Sequence, residues 1–237
     1  MVEKIDIASF FKPTKRYPLF DVRTPAEFEK GHIPTAFNLA LFSNEERAIV
    51  GTIYKKESPK QALLKGLELV GPKLRLLIEE VEKKTDSKTV ALHCWRGGKR
   101  SGSVGWLLGM AGFEVKTILG GYKAYRNFVL HQFKELPLNL LVLGGKTGCG
   151  KTKILKSLKK KGEQIIDLEK LAHHKGSAFG FIGEAISPTV EQFENNLFEA
   201  ISKLDNTRRI WVENESRRIG KVLIPDGFWE QMKTAHL

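Results

Sequence analysis

The apolar run Leu138-Asn139-Leu140-Leu141-Val142-Leu143 leads straight into Gly144-Gly145-Lys146-Thr147-Gly148-Cys149-Gly150-Lys151-Thr152, and a helical stretch follows over residues 153–160. No other feature constrains the fold as tightly. A buried strand that passes through a glycine-rich turn into a helix is the first half of a βαβ crossover, and such a crossover needs a parallel sheet. From Gly145 to Thr152 the turn reads G-x-x-x-x-G-K-T. Its glycines let backbone N–H groups wrap a phosphate chain, the lysine adds a point charge, and the threonine hydroxyl can sit on a magnesium ion. Gly145, Gly148, Gly150, Lys151 and Thr152 are therefore candidate diphosphate-binding residues. Asp167, at the end of the strand candidate Gln164-Ile165-Ile166, is a second candidate magnesium ligand beside Thr152, with an ordinary helix cap as its alternative role. Glu213 and Glu215 follow the strand candidate Ile210-Trp211-Val212 and are acid/base, diphosphate-site or metal candidates.

A second strand–loop–helix unit carries a nucleophile. Thr89-Val90-Ala91-Leu92 reads as a buried strand, Cys94-Trp95-Arg96-Gly97-Gly98-Lys99-Arg100-Ser101 as the loop, and the spacing of Val104, Leu107 and Leu108 as the helix after it. Backbone N–H groups, the helix N-terminus and the cations Arg96, Lys99 and Arg100 all raise the positive potential around Cys94, which lowers a thiol pKa. The expectation is a thiolate at neutral pH in an anion cradle, with Cys94, Arg96, Lys99 and Arg100 as the catalytic set. The alternative is an inert buried cysteine beside a solvated turn.

Between these loops the pattern alternates strand and helix. Residues 17–23 predict a short strand, and Thr24-Pro25-Ala26-Glu27 a helix start with Thr24 as cap, proline at the first position and Glu27 closing a capping box. Gly31-His32-Ile33-Pro34 breaks that helix. Residues 63–83 carry helical periodicity, and 114–119 predict a strand before the turn at Gly120-Gly121. Residues 128–137 are the connector, and the second unit adds a helix over 190–204 and a strand over 209–213. Two α/β domains result, over residues 1–135 and 136–237. The chain has 237 residues, 41% hydrophobic and 28% charged, with two cysteines, one in each loop. That composition excludes a disordered chain and a disulfide framework, and no four-cysteine zinc site can form. No apolar run approaches the roughly 20 residues of a membrane span and the N-terminus lacks a secretory pattern, so a cytoplasmic protein without membrane contact is expected. Net charge +12 predicts a polyanionic partner, nucleic acid first among them.

The first half resembles a rhodanese domain. The resemblance rests on Asp21-Val22-Arg23-Thr24-Pro25-Ala26-Glu27-Phe28, on Gly31-His32-Ile33-Pro34-Thr35-Ala36-Phe37-Asn38-Leu39, on the Cys94 loop and on Gly120-Gly121-Tyr122, and it covers most of residues 15–130. It implies a loop cysteine that carries sulfur or selenium as a persulfide or perselenide. The loop departs from the commonest rhodanese pattern by one residue: Cys94-x5-Arg100 also fits cysteine-dependent phosphatases and arsenate reductases, whose wider loop holds a tetrahedral anion. No aspartate can be assigned as the general acid that phosphatase chemistry needs.

Both halves together, with Cys94-Trp95-Arg96-Gly97-Gly98, Gly120-Gly121-Tyr122-Lys123-Ala124-Tyr125-Arg126, Asp167-Leu168-Glu169, Gly176-Ser177-x-Phe179-Gly180 and Glu213-x-Glu215-Ser216-Arg217-Arg218-Ile219-Gly220, resemble the tRNA 2-selenouridine synthase family. The family implies a rhodanese-like parallel-sheet domain followed by a P-loop NTPase-like α/β domain. It also implies conversion of wobble 2-thiouridine into 2-selenouridine through an S-geranylated intermediate, with geranyl diphosphate and selenophosphate as substrates and magnesium at the P-loop. The implied partners are tRNA, through its anticodon region, and a selenophosphate-producing enzyme. The family usually extends well beyond the Glu213-to-Gly220 motif, so the second domain is expected to be C-terminally shortened. A reading from another class is a rhodanese-type sulfur relay with a nucleotide-dependent P-loop switch.

The lysines Lys153, Lys156, Lys159, Lys160 and Lys161 form a basic helix face. Lys156, Lys159 and Lys160, with Arg217 and Arg218, are the candidate tRNA contacts, against a solvated face and a structural ion pair respectively. His32 is expected to order its turn by hydrogen bonding, His173-His174 to be a solvated pair, and Cys149 to be a small filler within the phosphate loop.

Overall fold

The computed structural model describes residues 2–11, 17–145, 149–176 and 180–236. It divides into two units, residues 1–126 and 127–237. The elements of the first are β1 (Val2–Ile5), α1 (Ile7–Phe10), β2 (Leu19–Asp21), α2 (Pro25–Lys30), β3 (Ala36–Asn38), α3 (Asn44–Lys56), α4 (Pro59–Val70), a 3-10 turn at Gly71–Lys73, α5 (Leu74–Lys84), β4 (Thr89–His93), α6 (Lys99–Met110), β5 (Glu114–Ile118) and α7 (Gly121–Glu135), inside which the division falls. The strands form one parallel sheet in the order β1-β5-β4-β2-β3. The chain therefore winds outward from β2 to β3 on one side and from β4 to β5 on the other. In open parallel sheets the crevice beyond the carboxyl ends of the two strands at such a reversal is the place where ligands bind. Cys94 follows β4, and Arg23 follows β2.

Local chemistry accounts for the boundaries. The Thr24 hydroxyl accepts from the Glu27 N–H while the Glu27 carboxylate accepts from the Thr24 N–H, the reciprocal box expected at α2. The helical stretch expected over residues 63–83 is two helices rather than one. Pro72 lacks the N–H that an uninterrupted helix would need, and the chain answers with the 3-10 turn. The buried side of the sheet is filled by Phe20, Val22, Val90, Leu92, Val104, Leu107, Leu108 and Val115, closed by Val70, Leu77 and Val81 of α4 and α5.

The second unit continues with β6 (Leu140–Leu143), α8 (Lys151–Lys160), β7 (Gln164–Ile166), α9 (Leu168–Ala172), α10 (Val190–Ile201), β8 (Ile210–Glu213), the hairpin β9 (Arg218–Ile219) and β10 (Val222–Leu223), and α11 (Asp226–Thr234). Its sheet is parallel in the order β6-β8-β7, with Leu143 beside Glu213 and Ile166 beside Val212. Residues 128–135, expected as a connector, are the last part of α7, and Phe128 stacks edge-on against Phe198 of α10. Among the described residues no helix is long and apolar enough to cross a membrane.

Candidate active site

Cys94 lies at the carboxyl end of β4 with its side chain almost wholly buried. The Gly98 N–H donates to Sγ at 3.3 Å, and the Ser101 hydroxyl lies 3.3 Å from the same atom. Burial works against ionisation, but the Ser101 hydroxyl and the N–H groups of Ser101, Gly98 and Arg96 outweigh it and hold the thiol below its usual range. Turn geometry forces this arrangement. Gly97 and Gly121 both have positive φ, at 65° and 59°. A Cβ at Gly97 would lie 2.6 Å from the Ile118 carbonyl oxygen, and one at Gly121 would lie 2.3 Å from the Cys94 carbonyl oxygen and 2.5 Å from the Gly97 nitrogen. Only glycine lets the two turns interlock this closely. The Tyr122 and Lys123 N–H groups at the start of α7 then donate to the Cys94 and Trp95 carbonyls at 2.9 and 3.0 Å. Beneath them the buried Arg23 guanidinium binds Asp21 and the Gly31 carbonyl, and it covers the Tyr122 ring at 3.8 Å.

The three cations expected around Cys94 all line its cavity, but in two different states. Arg96 and Lys99 are exposed and form no ion pair among the described residues. Arg100 is half-buried and gives two N–H groups to Glu27, at 2.6 and 3.1 Å, so the capping-box carboxylate doubles as its anchor. The cavity measures about 970 Å³, and its far wall is α3, a helix that sequence reasoning did not find. Arg47, Tyr54 and Lys55 project from that wall into it.

On the second unit Lys151 and Thr152 open α8 directly after the phosphate loop. Lys151 Nζ donates to the Gly145 carbonyl at 3.1 Å and lies 4.0 Å from Glu215 Oε1. Gly150 caps α8, and the Cys149 sulfur fills the space that a Cβ at Gly145 would take. Gly148 lies outside the described residues. The Thr152 hydroxyl sits 3.1 Å from Glu169 Oε2 and 3.5 Å from Glu213 Oε2. Glu169, Glu213 and Glu215 bring one oxygen each within 4.8 Å of one another. Glu213 is fully buried; desolvation, then the neighbouring carboxylates Glu169, Asp167 and Glu215, push it up to about 7 against the one N–H it accepts from Glu169. Three crowded carboxylates beside a hydroxyl at a phosphate loop form an oxygen-only donor set that suits magnesium. The Thr152 hydroxyl faces two of these carboxylates, Glu169 and Glu213. Asp167 spends Oδ1 on the Lys170 N–H as the cap of α9 and acts on the group through charge, so the carboxylate from this segment nearest Thr152 is Glu169. The available sequence signal was position: Glu169 stands two residues past Asp167, in the first turn after β7.

The remaining candidates separate by their partners. Lys156, Lys159 and Lys160 are exposed along α8 and unpaired among the described residues. Arg217 pairs with Asp226, and Arg218 donates Nε to the Gly220 carbonyl at 3.1 Å. His32 holds its turn as expected, Nδ1 to the Phe28 carbonyl at 2.9 Å with its ring stacked on Phe28. The histidine pair is half-buried rather than fully solvated. His173 caps α9 in the left-handed region with Nδ1 on the Ile186 carbonyl at 2.8 Å, and the half-buried His174 ring packs against Gly220.

Comparison with known proteins gives the two units matching families in this order. The rhodanese-like domain family matches residues 10–128, and the tRNA 2-selenouridine synthase AAA domain matches residues 138–237. Curated relatives include the tRNA 2-selenouridine synthases of Nitrosomonas eutropha, 37% identical over 93% of this chain, and Bdellovibrio bacteriovorus, 40% identical over 92%. The chain spans 58% and 59% of the lengths of those two relatives. A solved N-terminal domain of a Clostridium difficile 630 protein, described as ATP/GTP binding, is 41% identical with a TM-score of 0.51, covering 54% of this chain and 99% of its own. The chain therefore belongs to the rhodanese-like domain family through its first unit, and its second unit is similar to the AAA domain of tRNA 2-selenouridine synthases.

Proposed function

We propose that the chain modifies tRNA at the wobble position, replacing the sulfur of 2-thiouridine by selenium through an S-geranylated intermediate. In the first step the uridine sulfur attacks C1 of geranyl diphosphate, a C–S bond forms, the C–O bond breaks and diphosphate leaves. The phosphate-loop glycines, Lys151 and Thr152 hold that diphosphate, and Glu169, Glu213 and Glu215 are the residues that would hold magnesium with Thr152. Magnesium, when bound, supplies charge neutralisation for the departing diphosphate. Glu213, with its carboxyl poised near neutrality, can hold or release a proton at Oε2 as that site fills and empties.

In the second step the Cys94 thiolate attacks C2 of the geranylated base and the C2–S bond to the geranyl thiolate breaks; the selenium of selenophosphate then attacks C2, the C2–S bond to Cys94 breaks and returns the thiolate, and water cleaves the Se–P bond to release phosphate. Cys94 is the nucleophilic group of this step; Arg96, Lys99 and the loop N–H groups hold the anionic end of the donor, while Arg100, fixed by Glu27, sets the loop's width. A selenophosphate-producing enzyme is the natural supplier of the donor. One observation carries the reading: a thiol held below its usual range at the floor of a cation-rimmed cavity, in the same chain as a phosphate loop backed by three carboxylates. Mass spectrometry of the wobble nucleoside, after incubating 2-thiouridine tRNA with geranyl diphosphate and selenophosphate, tests it. Formation of geranylthiouridine and then selenouridine is expected. An unchanged nucleoside, together with nucleotide-dependent persulfide transfer to a protein, would replace this reading with a sulfur relay governed by a nucleotide switch.

A further inference from the structure

The cavity over Cys94 is far larger than the anion its loop can hold. At about 970 Å³ it lies at the top of the roughly 300–1,000 Å³ range of small-molecule sites, whereas a loop of this length is expected to cradle a single tetrahedral anion. Its remaining wall is α3, and that wall has an unusual make-up. None of the thirteen residues of α3 is fully buried; half-buried Val50 packs against the core, and the rest of the helix stays at least partly accessible. Into the cavity it presents Arg47, Tyr54 and Lys55, and across the space stand Trp95, Arg96 and Lys99. Tyr54 is 60% and Trp95 38% exposed, two aromatic faces open to a ligand. The four cations form no ion pair among the described residues, while Glu46, on the same helix, is drawn away to Lys73.

Two spacings decide what this surface takes. Arg47 and Lys55 lie eight residues apart, about 12 Å along a helix, so one phosphate cannot meet both and a chain of phosphates can. Arg47 also lies flat on the helix, with Nη1 only 2.7 Å from the point where a Cβ would stand at Gly51. That glycine therefore leaves room for the guanidinium to lie against the helix. Cationic grooves with exposed aromatic faces bind unpaired nucleotides, by stacking the bases and tracking the backbone, whereas an intact duplex offers no free base to stack.

We propose that α3 is the RNA-reading wall of the Cys94 site: Tyr54 and Trp95 take an unpaired base and its neighbour, and Arg47 and Lys55 take successive phosphates, which delivers one extruded nucleotide to the sulfur. This deepens the tRNA-modifying reading and rests on it. The test uses the full chain, a short RNA hairpin with 2-thiouridine in its loop, and a blunt RNA duplex of the same length. Iodoacetamide alkylation of the Cys94 peptide is read by mass spectrometry alongside hairpin affinity. The hairpin is expected to shield Cys94 and the duplex to leave it reactive. Arg47→Glu and Tyr54→Ala should each weaken the hairpin about tenfold and remove the shielding, and Tyr54→Phe should restore both. Both positions are exposed, and circular dichroism checks that each variant is folded. A hairpin that binds without shielding Cys94, or that binds both variants as it binds the unsubstituted chain, overturns the role of α3 and leaves the tRNA reading standing. A hairpin that does not bind at all overturns both.

Discussion

Replacing Glu213 by glutamine should make the second unit more stable above neutral pH, in spite of removing a buried hydrogen-bonding carboxylate. In the unfolded chain Glu213 ionises near its ordinary 4.5, whereas in the folded chain desolvation and neighbouring carboxylates hold the proton until about 7. Between those values the native state binds more protons than the unfolded one, so stability falls as pH rises through the window, and the whole penalty is in place above about 7. At about 1.4 kcal/mol per pH unit the window spans at most about 3.5 kcal/mol. Glu169 and Glu215 are only partly buried and water screens part of their repulsion, so about 2 kcal/mol is the working figure. Glutamine keeps the shape and still accepts from the Glu169 N–H. Urea unfolding at pH 5 and pH 8 in a chelator should show the unsubstituted chain losing about 2 kcal/mol more than Glu213→Gln over that interval. Magnesium should reverse the order at pH 8, because the ionised group gains a partner there and the glutamine gains almost none. Equal pH slopes for the two proteins, or a variant that is less stable at pH 8 in chelator, would refute the argument.

Other outcomes follow from single interactions. Cys94→Ala should abolish selenouridine while geranylthiouridine still accumulates, as read by nucleoside mass spectrometry; selenouridine at the original rate would remove Cys94 from the chemistry. Ser101→Ala deletes the hydroxyl 3.3 Å from the sulfur, so the inflection in a pH profile of Cys94 alkylation should move up by about one pH unit, toward an ordinary thiol. Lys151→Ala should weaken geranyl diphosphate binding about thirtyfold, on the order of 2 kcal/mol, by calorimetry. Replacing Lys156, Lys159 and Lys160 together by glutamate should flatten the dependence of tRNA affinity on salt, by about 0.7–0.9 in slope for each phosphate that is no longer neutralised. An unchanged slope would return α8 to a plain solvated face.

Local features were legible in the sequence and long-range ones were not. The Thr24–Glu27 box, the glycine turn at residues 120–121 and the strands before both loops are written within a few residues of chain, where capping and periodicity act. The second duty of Glu27, anchoring Arg100 from 73 residues away, has no local signature. β1 escaped notice because Val2–Ile5 is a mostly exposed edge strand that alternates too briefly to read. α3 escaped for another reason: none of its residues is fully buried and only a short part of it, around half-buried Val50, packs against the core, so its apolar stripe is weak, although Ser43 and Glu46 do form a capping box. At the phosphate loop, spacing placed acidic residues after the right strands. Only the turn into α9 decides that Asp167 caps the helix and Glu169 faces Thr152.

The interlocked turns at Gly97 and Gly121 also tie two motions into one. The first free N–H groups of α7, on Tyr122 and Lys123, are spent on the carbonyls of Cys94 and Trp95. The sulfur loop therefore cannot swing open without fraying the first turn of α7, and that turn cannot fray without releasing the loop. Hydrogen exchange at these two amides is in effect a clock for the loop. Their protection reports how often the nucleophile leaves its cradle, whether or not any substrate is being turned over.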